Sequence, residues 1–206
     1  MLADKVRLYE SALFRTVSTL VEGEDFLLLV DPTWLPQEVE FLAEIVDALL
    51  GERKLYLLFT HSDYDHIIGY GRFPRATVIA SAAFVSNPNQ ASILRQILDF
   101  DDSYYLTRNY PIVYPEVDVV IDGNPQEYTL PGETVRFYQA PGHNADGLVT
   151  FFPRRGLLIV GDYLSNVEFP YVYHGVAAYR DTLDQLESII TTEHVTLLVS
   201  GHGDAT

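Results

Sequence analysis

The residues best suited to chemistry lie in the hexapeptide 61–66, which reads His-Ser-Asp-Tyr-Asp-His. It follows an apolar run typical of a buried strand, so it is predicted to form a loop between that strand and a helix. Asp63 and Asp65 repel each other at this spacing, and a divalent cation turns that repulsion into attraction. The hexapeptide therefore predicts a metal site. The alternative is a polar turn whose aspartates cap the next helix.

Three more positions with ligand side chains stand directly after strand-like runs and beside glycine. They are His143, Asp162 and His202, which follow the apolar runs 134–139, 157–160 and 195–199. Strand ends allow a rigid sheet to present several ligands together, and neighbouring glycines permit close approach of the backbone. The pattern indicates one pocket that collects ligands from several strands.

The elements that must position these side chains follow a mixed pattern. Strands are predicted at 13–21, 26–30, 54–59, 77–80, 117–121, 134–139, 148–152, 157–160 and 195–200, and helices at 36–50, 91–100 and 179–190. Strands with helices in both halves of the chain predict an α+β fold in which sheets pack together with helices outside. Residues 101–117, rich in Tyr, Asp and Pro, form a candidate substrate lid. The alternative is a surface loop with partly buried tyrosines.

Composition excludes several classes of function. The length of 206 residues indicates one domain, 1–206, and the absence of cysteine excludes thiolate nucleophiles and Cys-ligated metals. A net charge of −16 disfavours nucleic-acid and anionic membrane partners. No apolar run approaches the roughly 20 residues of a spanning helix. We therefore expect a cytoplasmic protein with a small-molecule substrate; the oligomeric state is left open.

Together these motifs resemble the metallo-β-lactamase-fold metallohydrolase superfamily, with its signature H-x-H-x-D-H, a later His, a Gly-Asp and a final His. The resemblance covers essentially the whole chain. It implies an αββα sandwich of two mixed β-sheets flanked by helices, and two divalent metal ions. The implied ligands of the first metal are His61, Asp63 and His143, those of the second are Asp65, His66 and His202, and Asp162 bridges both.

The sequence departs from the signature at its second position, where Asp63 replaces the usual His. If Asp63 is a ligand, three aspartates against two divalent ions leave one positive charge, which a bridging hydroxide neutralises. Carboxylate suits hard cations better than imidazole does, so Asp63 is expected to shift the preference from zinc toward manganese or iron. A diiron branch of the superfamily carries an acidic residue at this position. A one-metal site without Asp63 is the alternative.

The resemblance implies a metallohydrolase in which a metal-bridging hydroxide attacks a small ester, lactone, thioester or phosphodiester. Asp65 or Asp162 would carry the proton of the leaving group. Substrate contacts are expected on the segment after the bridging aspartate, from Tyr163, Tyr173, His174 and Tyr179. The alternatives are a diiron O₂-binding or redox protein of the same fold and a non-catalytic metal-binding member.

Overall fold

Two mixed β-sheets packed face to face form the centre of the computed structural model, which describes residues 5–206. The first sheet has the order β1 (Val6–Glu10), β2 (Val17–Glu22), β3 (Phe26–Val30), β4 (Lys54–Leu58), β5 (Thr77–Ser81) and β6 (Val119–Ile121). The second has the order β11 (Leu197–Val199), β10 (Leu157–Ile159), β9 (Leu148–Phe152), β8 (Glu133–Gln139) and β7 (Gln126–Leu130). Pairs β3–β4, β4–β5, β5–β6 and β10–β11 are parallel and the others are antiparallel.

Helices cover the outer face of each sheet. They are α1 (Pro36–Leu50), α2 (Tyr64–Ile67), α3 (Ala82–Val85), α4 (Gln90–Ser103) and α5 (Val176–Thr192). α1 and α4 pack on the first sheet and α5 packs on the second. Within residues 5–206, none of the helices combines the length and the apolar character needed to cross a bilayer.

The four layers follow from the alternation of side chains along the strands. In β3, Leu27 and Leu29 face the helices α1 and α4, whereas Leu28 faces the second sheet. In β9, Phe151 packs toward α5 and Phe152 packs between the sheets. Both faces of each strand are buried, and β3 is accordingly apolar throughout and β9 apolar except for Thr150. The predicted sandwich of two mixed sheets with flanking helices is confirmed.

The strand predictions were wrong where strands are exposed or strained. β1 and β7 were missed because they are short, largely exposed edge strands with mostly polar side chains. The strand predicted at 13–21 begins only at Val17, since Phe14 and Arg15 both have a φ of 50° and form a turn.

The strand ends that carry polar side chains meet at one edge of the sandwich. β8 and β10 are both antiparallel to β9, so they run in the same direction and end on the same side. Hydrogen bonds from the Leu148 amide to the Thr60 carbonyl, 2.7 Å, and from the Val17 amide to the Gly201 carbonyl, 2.7 Å, join the two sheets there. This edge therefore collects residues from distant parts of the chain.

The segment 104–118, which contains no helix or strand, is fastened to the helical layer by Arg108. Its guanidinium donates to both carboxylate oxygens of Asp101, at 2.8 and 2.9 Å, and to the carbonyl of Trp34 at 2.9 Å. Tyr110 is buried in the core beneath the segment, and the Tyr114 hydroxyl donates to a backbone carbonyl. Tyr110 and Tyr114 are thus at least partly buried, whereas Tyr104 and Tyr105 are exposed. A role of 101–117 as a substrate lid stays a prediction.

Replacing Arg108 with Ala leaves the buried Asp101 carboxylate without its cation. We expect the free energy of unfolding to fall by about 3–5 kcal/mol, measured by urea denaturation followed by circular dichroism. Arg95→Ala is the matched control, because Arg95 lies on the surface of α4 at 4.0 Å from Asp99. Its loss should stay below about 0.5 kcal/mol. Equal losses in the two variants would contradict a structural role for the buried pair.

Candidate metal centre

All seven predicted ligand residues converge at the shared edge of the two sheets. One group with ligand atoms within 4.8 Å of one another contains His61, Asp63, His143 and Asp162, and a second contains Asp65, His66 and His202. The four imidazoles are almost completely buried. The tertiary structure therefore brings together residues that span 142 positions of the chain, as the motif predicted.

The spacing within the first group suits a single small cation. Nε2 of His143 lies 3.0 Å from Asp63 Oδ2 and 3.3 Å from Asp162 Oδ2. Nε2 of His61 lies 3.5 and 3.4 Å from the same two oxygens. Ligand atoms held at about 2.0–2.1 Å around a tetrahedral ion are separated by about 3.3–3.4 Å. The observed separations agree with that requirement.

The second group shares Asp162 with the first through its other oxygen. Asp162 Oδ1 lies 3.2 Å from Nε2 of His66 and 3.5 Å from Nε2 of His202. Asp65 Oδ2 approaches the same two nitrogens at 3.3 and 3.6 Å. Because each oxygen of Asp162 faces a different group, the carboxylate has the geometry of a bridge between two cations.

Each imidazole is held at Nδ1 by an acceptor, which directs Nε2 into the cluster. The partners are the Asp31 carboxylate for His66 at 2.9 Å, the Tyr171 carbonyl for His143 at 2.8 Å and the Phe14 carbonyl for His202 at 2.9 Å. Nδ1 of His61 lies 3.0 Å from Thr60 Oγ1, which donates its own proton to Asp31. These partners hold a proton on Nδ1, so that Nε2 is the nitrogen available to a cation, as in a metal-ligating histidine.

Asp31 is a site residue that the sequence reasoning missed. It is 1% exposed, has a φ of 46°, and accepts from the Thr60 amide at 2.9 Å and the Thr60 hydroxyl at 2.5 Å, besides contacting His66. It stands directly after the apolar strand β3. Asp31 meets the strand-end part of the pattern that singled out His143 and Asp162, but it is followed by Pro32 and has no neighbouring glycine.

From the sequence, Asp63 is either a metal ligand or a cap of the next helix, and the structure favours the first. It occupies the N-cap position of α2, yet its side chain makes no capping hydrogen bond. Instead, Oδ1 accepts from the side-chain amide of Asn144 at 2.7 Å, and Oδ2 faces the imidazole of His143. Asn144 therefore orients Asp63 so that one oxygen points into the cluster. Asn144 directly follows His143, and nothing in the sequence alone indicated this role.

The cluster concentrates negative charge that the imidazoles partly balance. Burial and the neighbouring His66 lower the pKa of His61, but Asp162 and Asp63 outweigh them and raise it to about 10. Burial by itself raises the pKa of Asp162, whereas His66 and His61 hold it well below its usual range. The carboxylates thus require positive charge beside them. Protons on the imidazoles supply it, and divalent cations can replace those protons.

Two buried atoms at the centre of the cluster have no hydrogen-bond partner within residues 5–206: Nε2 of His61 and Oδ1 of Asp162. An unsatisfied buried polar atom is costly, and such atoms are rare in native proteins. Coordination to a cation satisfies both. The donor set of nitrogen and carboxylate oxygen atoms therefore fits a pair of divalent metal ions.

The backbone beside the bridging carboxylate leaves room only for glycine. A Cβ atom at Gly201 would lie 2.2 Å from Oδ1 of Asp162 and 3.0 Å from Cε1 of His66. The glycine before His202 is therefore needed because the loop runs against the ligands themselves.

The four predicted substrate contacts separate into two pairs. Tyr163 is buried. Its hydroxyl donates to the Ala140 carbonyl and accepts from the His143 amide, so Tyr163 supports the loop that carries His143 and is not placed to contact a substrate. Tyr179 stacks on Tyr163 at 4.8 Å. Tyr173 and His174 are exposed and line the clefts beside the cluster.

Glu168 is a further carboxylate at the cluster that the sequence reasoning missed. Its Oε2 lies 3.6 Å from Nε2 of His202, and it shares a possible ligand group with His202 and Asp162. Burial and the nearby Asp162 raise the pKa of Glu168, although His202 opposes the shift. It lies in a segment without regular structure after β10, and no sequence signal marks it.

Oδ2 of Asp31 holds both the Thr60 hydroxyl and His66, and Oδ1 accepts from the Thr60 amide. Replacing Asp31 with Asn keeps its volume but turns one of these two oxygens into a donor, so at least one of the three contacts is lost. We expect the affinity for Mn²⁺ to fall by about 10–100-fold, measured by isothermal titration calorimetry. Asp118→Asn is the control, because Asp118 also accepts a backbone amide but lies at the opposite end of the first sheet. Unchanged affinity in the Asp31 variant would contradict its role in orienting the ligands.

The chain is similar to known proteins in its sequence profile and in its fold. A sequence profile described as the metallo-beta-lactamase superfamily matches residues 12–202. None of the curated proteins matches the sequence. The fold is similar to that of the B3 metallo-beta-lactamase BLEG-1, with a TM-score of 0.71 at 17% identity over 98% of this chain and 93% of that chain.

Two other solved structures are similar over 98% of this chain. ETHE1 from Myxococcus xanthus has a TM-score of 0.66 at 20% identity, with 78% of its chain covered. TTHA1623 in a di-iron-bound form has a TM-score of 0.69 at 20% identity, with 94% of its chain covered. At these identities the similarity concerns the fold. The profile match extends over nearly the whole chain, and this chain therefore belongs to the metallo-beta-lactamase superfamily.

Proposed function

We propose that the protein is a metal-dependent hydrolase with two divalent ions that acts on a small ester, lactone, thioester or phosphodiester. The observation that carries the proposal is the bridging geometry of Asp162, whose two oxygens face two separate groups of imidazoles and carboxylates. When bound, two such ions supply an activated water and polarise the bond to be cleaved. The nucleophile then comes from solvent, which agrees with a chain that has no cysteine.

The remaining roles are to hold the two ions and to deliver a proton to the leaving group. We assign the first ion to His61, Asp63, His143 and Asp162, and the second to Asp65, His66, His202 and Asp162. Both oxygens of Asp162 face imidazoles, so we assign Asp162 to holding the cations and not to proton transfer. Asp65 presents Oδ2 to His66 and His202. Its other oxygen, Oδ1, is our candidate for delivering a proton to the leaving group.

The function is tested by loading purified protein with Mn²⁺ or Fe²⁺ and measuring hydrolysis of chromogenic esters, lactones and phosphodiesters. His202→Ala should lower kcat/KM by about 100-fold or more, because it removes a ligand at the second ion. His194→Ala is the control, since His194 is exposed and belongs to neither ligand group. Failure of the loaded protein to hydrolyse any of these substrates would contradict the proposal.

The choice of metal depends on Asp63, which Asn144 orients toward His143. A carboxylate favours harder ions than an imidazole does. We expect protein produced in unsupplemented medium to contain manganese or iron, and Asp63→His to shift its content toward zinc, as measured by plasma mass spectrometry. Asp118→His is the control for adding a histidine away from the cluster. Two equivalents of zinc alone in the unaltered protein would refute this expectation.

A diiron redox protein is the second candidate, favoured by the carboxylate at position 63 and by the similarity to a fold solved in a di-iron-bound form. The two functions predict different behaviour of iron-loaded protein. A visible absorbance that changes on exposure to air, without ester or lactone turnover, supports the redox protein. Turnover with Mn²⁺ or Zn²⁺ supports the hydrolase. The cytoplasmic location stays a prediction.

A further inference from the structure

A cleft of about 390 Å³ opens directly beside Asp63. One wall is the loop that carries the hexapeptide, and the opposite wall is formed by the start of α4 and the loop before it. Its polar lining consists of hydroxyl and amide side chains, with Asp63 as the charged exception: Ser62, Asn87, Asn89, Ser92, Gln96 and Asn144. A second cleft of about 350 Å³ shares three of these amides and continues the same surface.

The charge around the cleft is unsuited to an anionic substrate. No lysine or arginine lines it within residues 5–206. Four carboxylates, those of Asp63, Asp65, Asp162 and Glu168, surround the proposed ion positions and balance the charge of two divalent cations. The chain as a whole carries −16. Recognition of carboxylate or phosphate groups generally uses arginine or lysine, and the cleft offers neither.

The lining matches hydroxyl groups instead. An amide side chain offers both a donor and an acceptor, which is what a substrate hydroxyl requires. The Asn87 side chain is already bonded within the protein, and Asn144 donates to Asp63. The side chains of Asn89, Ser92 and Gln96 make no hydrogen bond within residues 5–206 and are therefore the groups that can meet a substrate.

Tyr64 and Tyr173 add two aromatic surfaces to the same cleft. Both rings are positioned by other rings, Tyr64 against Trp34 at 5.5 Å and Tyr173 parallel to Tyr171 at 5.9 Å. Aromatic walls with a few polar groups between them fix the orientation of a small ring.

We propose that this cleft selects an uncharged, hydroxyl-bearing ester or lactone and orients its carbonyl toward the ligand cluster, which the cleft meets at Asp63. This inference rests on the proposed hydrolase function and narrows its substrate class. Thioesters and phosphodiesters that carry a negative charge are excluded by the same lining.

Three lactones test the selection with the Mn²⁺-loaded protein: δ-valerolactone, D-glucono-δ-lactone and 6-phospho-D-glucono-δ-lactone. They differ in hydroxyl content and in charge. After correction for spontaneous hydrolysis, kcat/KM for D-glucono-δ-lactone should exceed that of each of the others by at least about tenfold. Equal rates for the three, or a preference for the phosphorylated lactone, would overturn the proposal.

A pair of lysine substitutions on α4 isolates the effect of charge within the cleft. Gln96→Lys places a cation in the lining, and we expect it to raise kcat/KM for the phosphorylated lactone by about tenfold. Leu98→Lys adds the same charge to an exposed position of the same helix outside the cleft and should change it by less than about twofold. An equal rise in both variants would mean that net charge, and not the lining, sets the discrimination.

Binding of an unreactive analogue separates this inference from the hydrolase function. D-glucono-δ-lactam has the same ring and hydroxyls but resists hydrolysis, and its binding is measured by isothermal titration calorimetry. Binding that Gln96→Lys or Ser92→Ala weakens, without turnover of any ester, lactone or phosphodiester, supports the cleft and contradicts the hydrolase. Turnover of δ-valerolactone without binding of the lactam contradicts the cleft alone. Absence of both contradicts the two proposals together.

Discussion

Burial of several carboxylates and four imidazoles at one edge of the sandwich is the constraint on which the rest of the structure depends. Carboxylates this close together repel each other, and burial removes the water that would screen them. Positive charge must therefore stand among them. Because Asp162 faces both groups of imidazoles, the arrangement is completed by two cations more readily than by one.

The scaffold meets this constraint through hydrogen bonds that lie outside the cluster. The acceptors that hold the imidazoles lie just after β3, just after β4, in the turn before β2 and in the segment before α5, so no single element positions the candidate ligands. Asp31 positions two of the four imidazoles, since it contacts His66 directly and His61 through Thr60. A backbone bond between Thr60 and Leu148 then keeps the two sheets in register beside the site.

The charges that retain cations also shape what enters the cleft. Asp63 belongs to both regions, because its Oδ2 faces the cluster and its side chain lines the cleft. Where a histidine at this position would leave the loaded site more positive, the aspartate brings it toward neutrality. This reduces the electrostatic attraction of an anionic substrate. In our proposal, the amides and hydroxyls that line the cleft recognise the substrate instead.

The sequence by itself indicated a cluster of metal-ligating side chains and determined the layers of the fold. The hexapeptide marked candidate ligands because several donor side chains lie in one short stretch, and His143, Asp162 and His202 were marked by their positions at strand ends. Apolar strands such as β3 and β9 indicated sheets covered on both faces. Exposed edge strands were missed, since their polar side chains are also typical of loops.

Only the tertiary structure decided which atoms meet. Asn144 reaches Asp63 across the gap between two loops, and Glu168 approaches His202 from a segment without regular structure. Tyr163, which the sequence grouped with the substrate contacts, is buried beneath His143. These contacts join residues far apart in the chain, and they depend on how the sheets pack and where the loops run. A local sequence pattern does not determine which distant residues come into contact, because many loop paths are compatible with the same pattern.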